Sequence, residues 1–183
     1  MKLTEKTIDS KRHFEGRIIN LREDTVELEN GTLASREIVE HPGGVCVIGV
    51  TDDGKIPMVR QFRCPFGKVL LEVPAGKLNY GEDHFECGKR EFLEETGFSA
   101  KEYIYFGALY PSVGFLTETL HIYYAKGLTK GEQHLDDDEF LNVEFFTLEE
   151  LLDLVDKNEI KDAKTVVAIL KLDRYLRESQ KEN

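Results

Sequence analysis

Residues 72–98, EVPAGKLNYGEDHFECGKREFLEETGF, decide the fold. The stretch leaves a short apolar strand, passes through a glycine-containing loop and enters a helix crowded with carboxylates, predicted over Asp83 to Thr96. Phe85, Gly88 and Phe92 recur at helical spacing and form a small, close-packing face. Glu91, Glu94 and Glu95 fall on an adjoining arc, because positions three and four apart on a helix are surface neighbours. Like charges so close repel one another and raise at least one pKa unless they share a cation. Hard oxygen ligands grouped this way suit Mg²⁺ or Mn²⁺. Arg90, one turn before Glu94, is placed to hold that carboxylate by an ion pair. Gly76 is expected to give the loop an unusual backbone angle, and Gly97 to stop the helix in the left-handed conformation. The competing reading is a solvated acidic helix face, which is what most charge runs are.

The rest of the chain bounds the choice. A length of 183 residues suffices for one well-buried domain with a small appendage. With 40% apolar and 32% charged residues the composition is that of an ordinary soluble protein. A net charge of −11 argues against nucleic acid or an anionic membrane as partner. A small anionic substrate would need a local positive site or a metal to offset that field. No apolar run approaches a membrane span, and MKLTEKTIDS lacks the apolar core of a signal peptide. Cys46, Cys64 and Cys87 are odd in number and lack metal-type spacing, so they read as reduced packing thiols of a cytoplasmic protein.

Residues 1–42 read as an antiparallel β arm, and 43–183 as the main domain. Apolar positions alternate through Thr25–Glu29, Asn30-Gly31 is a strong hairpin signal, and Arg36 to His41 form the return strand before Pro42-Gly43-Gly44. Such an arm cannot bury a core by itself and needs a partner surface. Val45–Val50 reads as a strand buried on both faces, and Asp52-Asp53-Gly54 as a turn pairing it with Ile56–Phe62 in a second hairpin. Val69–Val73, Tyr103–Tyr110, Leu120–Ala125 and Val143–Phe146 follow as strands. Thr147 and Glu150 form a capping box before a helix over 148–157, and a last helix runs from Asp162 to Ser179. Strands flanked by helices make an α/β protein with a mixed sheet. His84 and His121 read as structural histidines. Phe14, Tyr110 and Phe115 are candidates to stack on an adenine, although aromatic residues are more often core.

Gly76, Glu82, Arg90, Glu91, Phe92, Glu94, Glu95, Gly97 and Phe98 fill every specified position of the Nudix box, G-x5-E-x7-REUxEExGU with U a bulky apolar residue. On these residues the chain resembles the Nudix hydrolases, and that resemblance implies an α/β/α sandwich. It also implies hydrolysis of a diphosphate joining a nucleoside to a second moiety, with Mg²⁺ (or Mn²⁺) as cofactor. Carried over residue by residue, the metal ligands are Glu91, Glu95, Glu139 and the Ala75 carbonyl. Glu94 and Glu95 serve the chemistry, and Asp137 in the acidic loop Asp136–Glu139 is the base. Arg90 is a structural clamp, and Glu82 supports the loop. SREIVEHPG, VRQFRCP, LEVPAGKLNYGED and GFLTETLHIYYAKGL further resemble the ADP-ribose pyrophosphatases. By that likeness Arg36 and Arg63 contact phosphate or ribose, Glu118 touches the sugar, and the arm makes a homodimer. The products would be AMP and a sugar phosphate. The chain departs from this subgroup at Ser112-Val113-Gly114, where the relatives carry SPG. The alternatives are therefore another sugar nucleotide such as GDP-mannose and, from a different class, a metabolite sensor that does not cleave.

Overall fold

The helix at the centre of the sequence, α1 (His84–Thr96), is fixed at both ends by its own residues. The Asp83 carboxylate accepts the N–H groups of Phe85 and Glu86, satisfying donors that have no partner within the helix. At the other end Gly97 adopts φ 72°, as its lack of a Cβ permits, and donates its N–H to the Leu93 carbonyl. The computed structural model describes residues 2–135 and 139–181. They form two compact units, one of residues up to Gly43 with Tyr110–Thr119, the other of Gly44–Leu109 with the residues from Leu120 onward.

The smaller unit is a three-stranded antiparallel sheet, β1 (Lys6–Glu15), β2 (Asn20–Glu27) and β3 (Leu33–Glu40), in that order. The β2–β3 turn is the Asn30-Gly31 hairpin: Gly31 sits at φ 80° and donates to the Leu28 carbonyl at 2.9 Å. The segment 115–117 runs along β3, with Val39 N–H donating to the Phe115 carbonyl at 2.7 Å. Val26 and Asp24 are the buried side chains among this unit's described residues, while Ile8, Phe14, Ile18 and Leu33 are exposed.

The larger unit holds two sheets. One has the order β7-β4-β9-β8, from β4 (Gly44–Gly49), β7 (Ala75–Lys77), β8 (Phe98–Leu109) and β9 (Leu120–Lys130). It is mixed, because β4 and β9 run parallel while the other pairs are antiparallel. The second is antiparallel, with the order β10-β5-β6, from β5 (Ile56–Arg63), β6 (Lys68–Glu72) and β10 (Leu141–Phe146). Two helices complete the unit, α2 (Leu148–Asp156), which begins at the Thr147/Glu150 capping box, and α3 (Ala163–Ser179), capped by Asp162.

Strand β4 explains the layering. Side chains alternate across a strand, so Val45 and Val47 face α1 and join Cys87, Phe92, Tyr123 and Ala125 in one core. Cys46 and Ile48 face the other way, into a larger core with Leu151, Ala168, Ile169 and Leu172 of α2 and α3. Helices on both faces of β4 give the α/β/α sandwich. Gly88 is what lets α1 approach so closely, since an added Cβ would lie 2.9 Å from Val45 Cγ2.

One expectation fails here. The Asp52-Asp53-Gly54 turn forms, with Thr51 N–H bonded to the Lys55 carbonyl at 2.8 Å, but β4 and β5 do not pair. β4 lies between β7 and β9, and β5 between β10 and β6. A local turn reverses the chain without choosing the neighbour; burial of β4 on both faces chooses it.

Candidate active site

Gly76 is not where an unusual backbone angle is needed, because its φ is not positive and it sits within β7. Its role is close approach. A Cβ on Gly76 would fall 2.0 Å from Glu91 Cδ, so the absence of a side chain seats the Glu91 carboxylate against the strand. One residue earlier, Ala75 donates its N–H to Glu95 Oε2 at 2.9 Å. The strand thus fixes two carboxylates of one helix turn.

Glu95 is 2% exposed. Burial pushes its pKa well above the ordinary carboxylate value, against the Ala75 hydrogen bond, and Glu139 and Glu91 push it further. Glu91 is also raised, chiefly by burial, with Arg90 opposing and Glu94 and Glu139 adding to the rise. Glu91, Glu95 and Glu139 therefore share one field. Residues 133 and 134 are tied to the end of α1. Gln133 Nε2 donates to the Glu95 carbonyl at 2.5 Å and His134 N–H to the Glu94 carbonyl at 3.0 Å, using acceptors the helix end leaves unpaired. Gln61 of β5 completes the setting, donating to Glu139 Oε1 at 3.4 Å.

Arg90 is the clamp the sequence suggests. It pairs with Glu91 and Glu94 at 2.8 Å and with Glu82 at 3.3 Å. Glu82 in turn accepts the Asn79 N–H at 2.8 Å, which closes the loop before α1. Glu94 is the more exposed member of the acidic set.

Among the described residues no three of these side chains are already gathered at ligating distance. Arg90 and the Ala75 N–H hold them instead. The donor set nevertheless fits a hard divalent ion: carboxylate oxygens only, two of them on one helix turn with pKa values raised by burial and mutual repulsion. The cradle between Gly76 and Glu91 is one a Cβ would fill.

The other expected residues are placed as follows. Arg63 ends β5 and grips Glu72, Nε to Oε1 at 2.7 Å and Nη2 to Oε2 at 2.8 Å, so it is anchored to a buried carboxylate rather than a loose surface pair. Arg36 and Glu118 belong to the smaller unit. There Arg36 pairs with Glu5 at 2.5 Å, and Glu118 lies 3.6 Å from His41 Nδ1. That nitrogen accepts the Gly43 N–H at 3.1 Å, so it is not a donor to Glu118. Asp137 lies outside the described residues. His84 and His121 stack with ring centroids 3.7 Å apart and bond Tyr123 and Tyr105 through Nδ1, a structural role. Phe14, Tyr110 and Phe115 are exposed rather than core. Missed altogether were Gln61, Glu72 and Lys164. A charge inside the apolar run Val69–Val73 was the signal for Glu72.

A mixed-sheet sandwich that presses a glutamate-rich helix turn against a glycine strand is the architecture of a hydrolase with an acidic catalytic centre. The chain belongs to the Nudix family: the NUDIX domain profile matches residues 40–168, and that of the nucleoside diphosphate sugar hydrolase N-terminal domain matches residues 5–42. It is 47% identical over 169 residues to an ADP-ribose pyrophosphatase of Bacillus subtilis (strain 168), covering 91% of each chain. It is 45% identical over 167 residues to a methanol dehydrogenase activator of Bacillus methanolicus, covering 90% of each. A crystal structure of an ADP compounds hydrolase shares the fold at TM-score 0.84 and 19% identity, over 96% of this chain and 95% of that one.

Proposed function

We infer that this Nudix hydrolase cleaves the diphosphate of ADP-ribose, giving AMP and a sugar phosphate. The observation that carries the substrate is the 47% identity, over 91% of each chain, to an ADP-ribose pyrophosphatase, with no part of the box missing. Water adds to one phosphorus, the bridging P–O bond breaks, and the bridging oxygen leaves with the other phosphate. A divalent ion, Mg²⁺ in this reading, would be held by Glu91, Glu95, Glu139 and the Ala75 carbonyl, and it supplies charge neutralisation and an acidified water. The chain's own residues do the rest. Arg63 offers a cation to the diphosphate, Arg36 and Glu118 address the sugar-nucleotide ends, and Glu94 orients the water whose proton Asp137 takes.

Val113, 85% exposed where the resemblance to the ADP-ribose pyrophosphatases leads one to expect proline, favours a second reading in which another sugar nucleotide such as GDP-mannose is preferred. Turnover of ADP-ribose, ADP-glucose, GDP-mannose and nucleoside triphosphates, each with Mg²⁺ and with EDTA, decides between them. The expected result is a lead for ADP-ribose that EDTA abolishes. A lead for GDP-mannose makes the Val113 loop the specificity determinant, and no turnover at all revives the sensor.

The apolar side chains left exposed on the small sheet support a homodimer, since three strands with one buried valine are not stable alone. Light scattering should give twice the chain mass of 21.0 kDa; a monomer mass at micromolar concentration would refute the dimer. Free thiols at Cys46, Cys64 and Cys87 are in keeping with a cytoplasmic protein, although Cys64 is exposed and not the packing thiol expected, and among the described residues no helix is long and apolar enough to cross a membrane.

A further inference from the structure

One buried charged group has no part in the chemistry above. Glu72 ends β6 at 2% exposure and yet carries a carboxylate. Burial alone would raise its pKa, but the Arg63 hydrogen bonds and the charge and hydrogen bond of Lys164 outweigh it and hold the group ionised. Lys164 Nζ of α3 bonds Glu72 Oε2, the oxygen that also accepts Arg63 Nη2, and donates to Asp162 Oδ2 at 2.9 Å. Two cations and two carboxylates thus balance. A lone carboxylate facing Arg63 would cancel most of that guanidinium's charge. Here Lys164 takes a share of Glu72.

The consequence reaches the acidic centre. Arg63 keeps a side chain 37% exposed, and among the described residues its Nη1 has no partner. It lies near enough to Glu95 for each to feel the other's charge. The chain between them is held rigidly. Val73 donates its N–H to Thr165 Oγ1 at 2.9 Å, the Pro74 carbonyl accepts the Val47 N–H at 2.9 Å, and Ala75 N–H holds Glu95. Four successive residues, Glu72 to Ala75, tie the guanidinium and the catalytic carboxylate to α3, β4 and α1.

We propose that Glu72 and Lys164 are positioning residues for Arg63: Glu72 fixes the plane of the guanidinium, and Lys164, by sharing Glu72, leaves Nη1 and its charge for the substrate diphosphate. The assignment rests on the hydrolase reading above. It is tested by binding of ADP-ribose in EDTA, measured calorimetrically, for the wild type, Lys164→Met, Glu72→Gln and the double variant. Lys164→Met keeps Glu72 paired with Arg63, and it should weaken binding about tenfold. With metal it should raise KM rather than lower kcat. In the Glu72→Gln background there is no charge to share, so the same substitution should change binding by less than about twofold. An equal loss in both backgrounds overturns the assignment, as does a fall in kcat at unchanged KM. If Lys164→Met does not melt cooperatively, Asp162→Asn decides. Asparagine still caps α3 and leaves Lys164 wholly to Glu72, so binding should tighten; weaker or unchanged binding overturns the idea. A wild type that fails to bind ADP-ribose at all strikes the hydrolase reading itself, an outcome distinct from an additive cycle.

Discussion

Glu95→Gln is expected to lower turnover by about a hundredfold or more with the far-ultraviolet circular dichroism unchanged. Glutamine keeps the shape and an oxygen to accept the Ala75 N–H, so the strand–helix contact survives. What disappears is a charge buried to 2% exposure at the centre of the field shared with Glu91 and Glu139. Stability should move the other way. Burial raises the folded pKa of Glu95 above its ordinary value near 4.5, so the folded state binds this proton more tightly than the unfolded state. Below the ordinary value the group is neutral in both states and costs nothing. As pH climbs through the raised folded value the wild type loses stability, and the glutamine variant does not. Metal-free melting curves should therefore coincide in acid and diverge toward alkaline pH, with the variant higher. Near-normal turnover would remove Glu95 from the ligand set, and a variant that melts lower at every pH would contradict the burial argument.

Gly76→Ala separates activity from stability more sharply. The added methyl would lie 2.0 Å from Glu91 Cδ and 2.1 Å from Cγ, an overlap that one of the two must relieve. The overlap runs from Cγ to the carboxylate, so the Glu91 side chain must take another rotamer, while the β7 backbone at residue 76 accepts an L residue without strain. The carboxylate therefore swings away while the fold stays. Displacing a positioned catalytic group by about 1 Å costs about a hundredfold, so turnover should fall that far. The melting temperature should drop by no more than about 4 °C, corresponding to about 1 kcal/mol. Retained activity would show that Glu91 works from another rotamer. A collapse in stability would show that the strand, not the side chain, had moved.

The sequence was most legible where its physics is local. Asp83 and Gly97 mark the two ends of α1, and Thr147 with Glu150 marks the start of α2, because a cap is decided by a few neighbouring residues. The acidic arc of Glu91, Glu94 and Glu95 was readable for the same reason. Pairing was less so. The turn at Asp52–Gly54 was right, and the partner it suggested for β4 was wrong, since strand neighbours are chosen by burial across the whole domain. Gly76 was singled out for a backbone angle it does not adopt, because a close approach depends on what lies opposite, here Glu91. The pairing of Glu72 with Lys164 was beyond reach. Nothing within the local sequence of either names a partner 92 residues away.

That separation has a bearing on how the protein comes into being. A ribosome adds about 5–20 residues per second, so Glu72 is made some 5–20 s before Lys164. Val73 waits equally long for Thr165. From residue 98 onward the nascent chain contains the whole box yet still lacks the ammonium group and the hydroxyl that hold its leading strand. The carboxylates of α1 meet their finished setting only once α3 has been translated and docked. On the positioning role proposed for Glu72 and Lys164, the growing polypeptide gains its full diphosphate-binding setting only when α3 is in place.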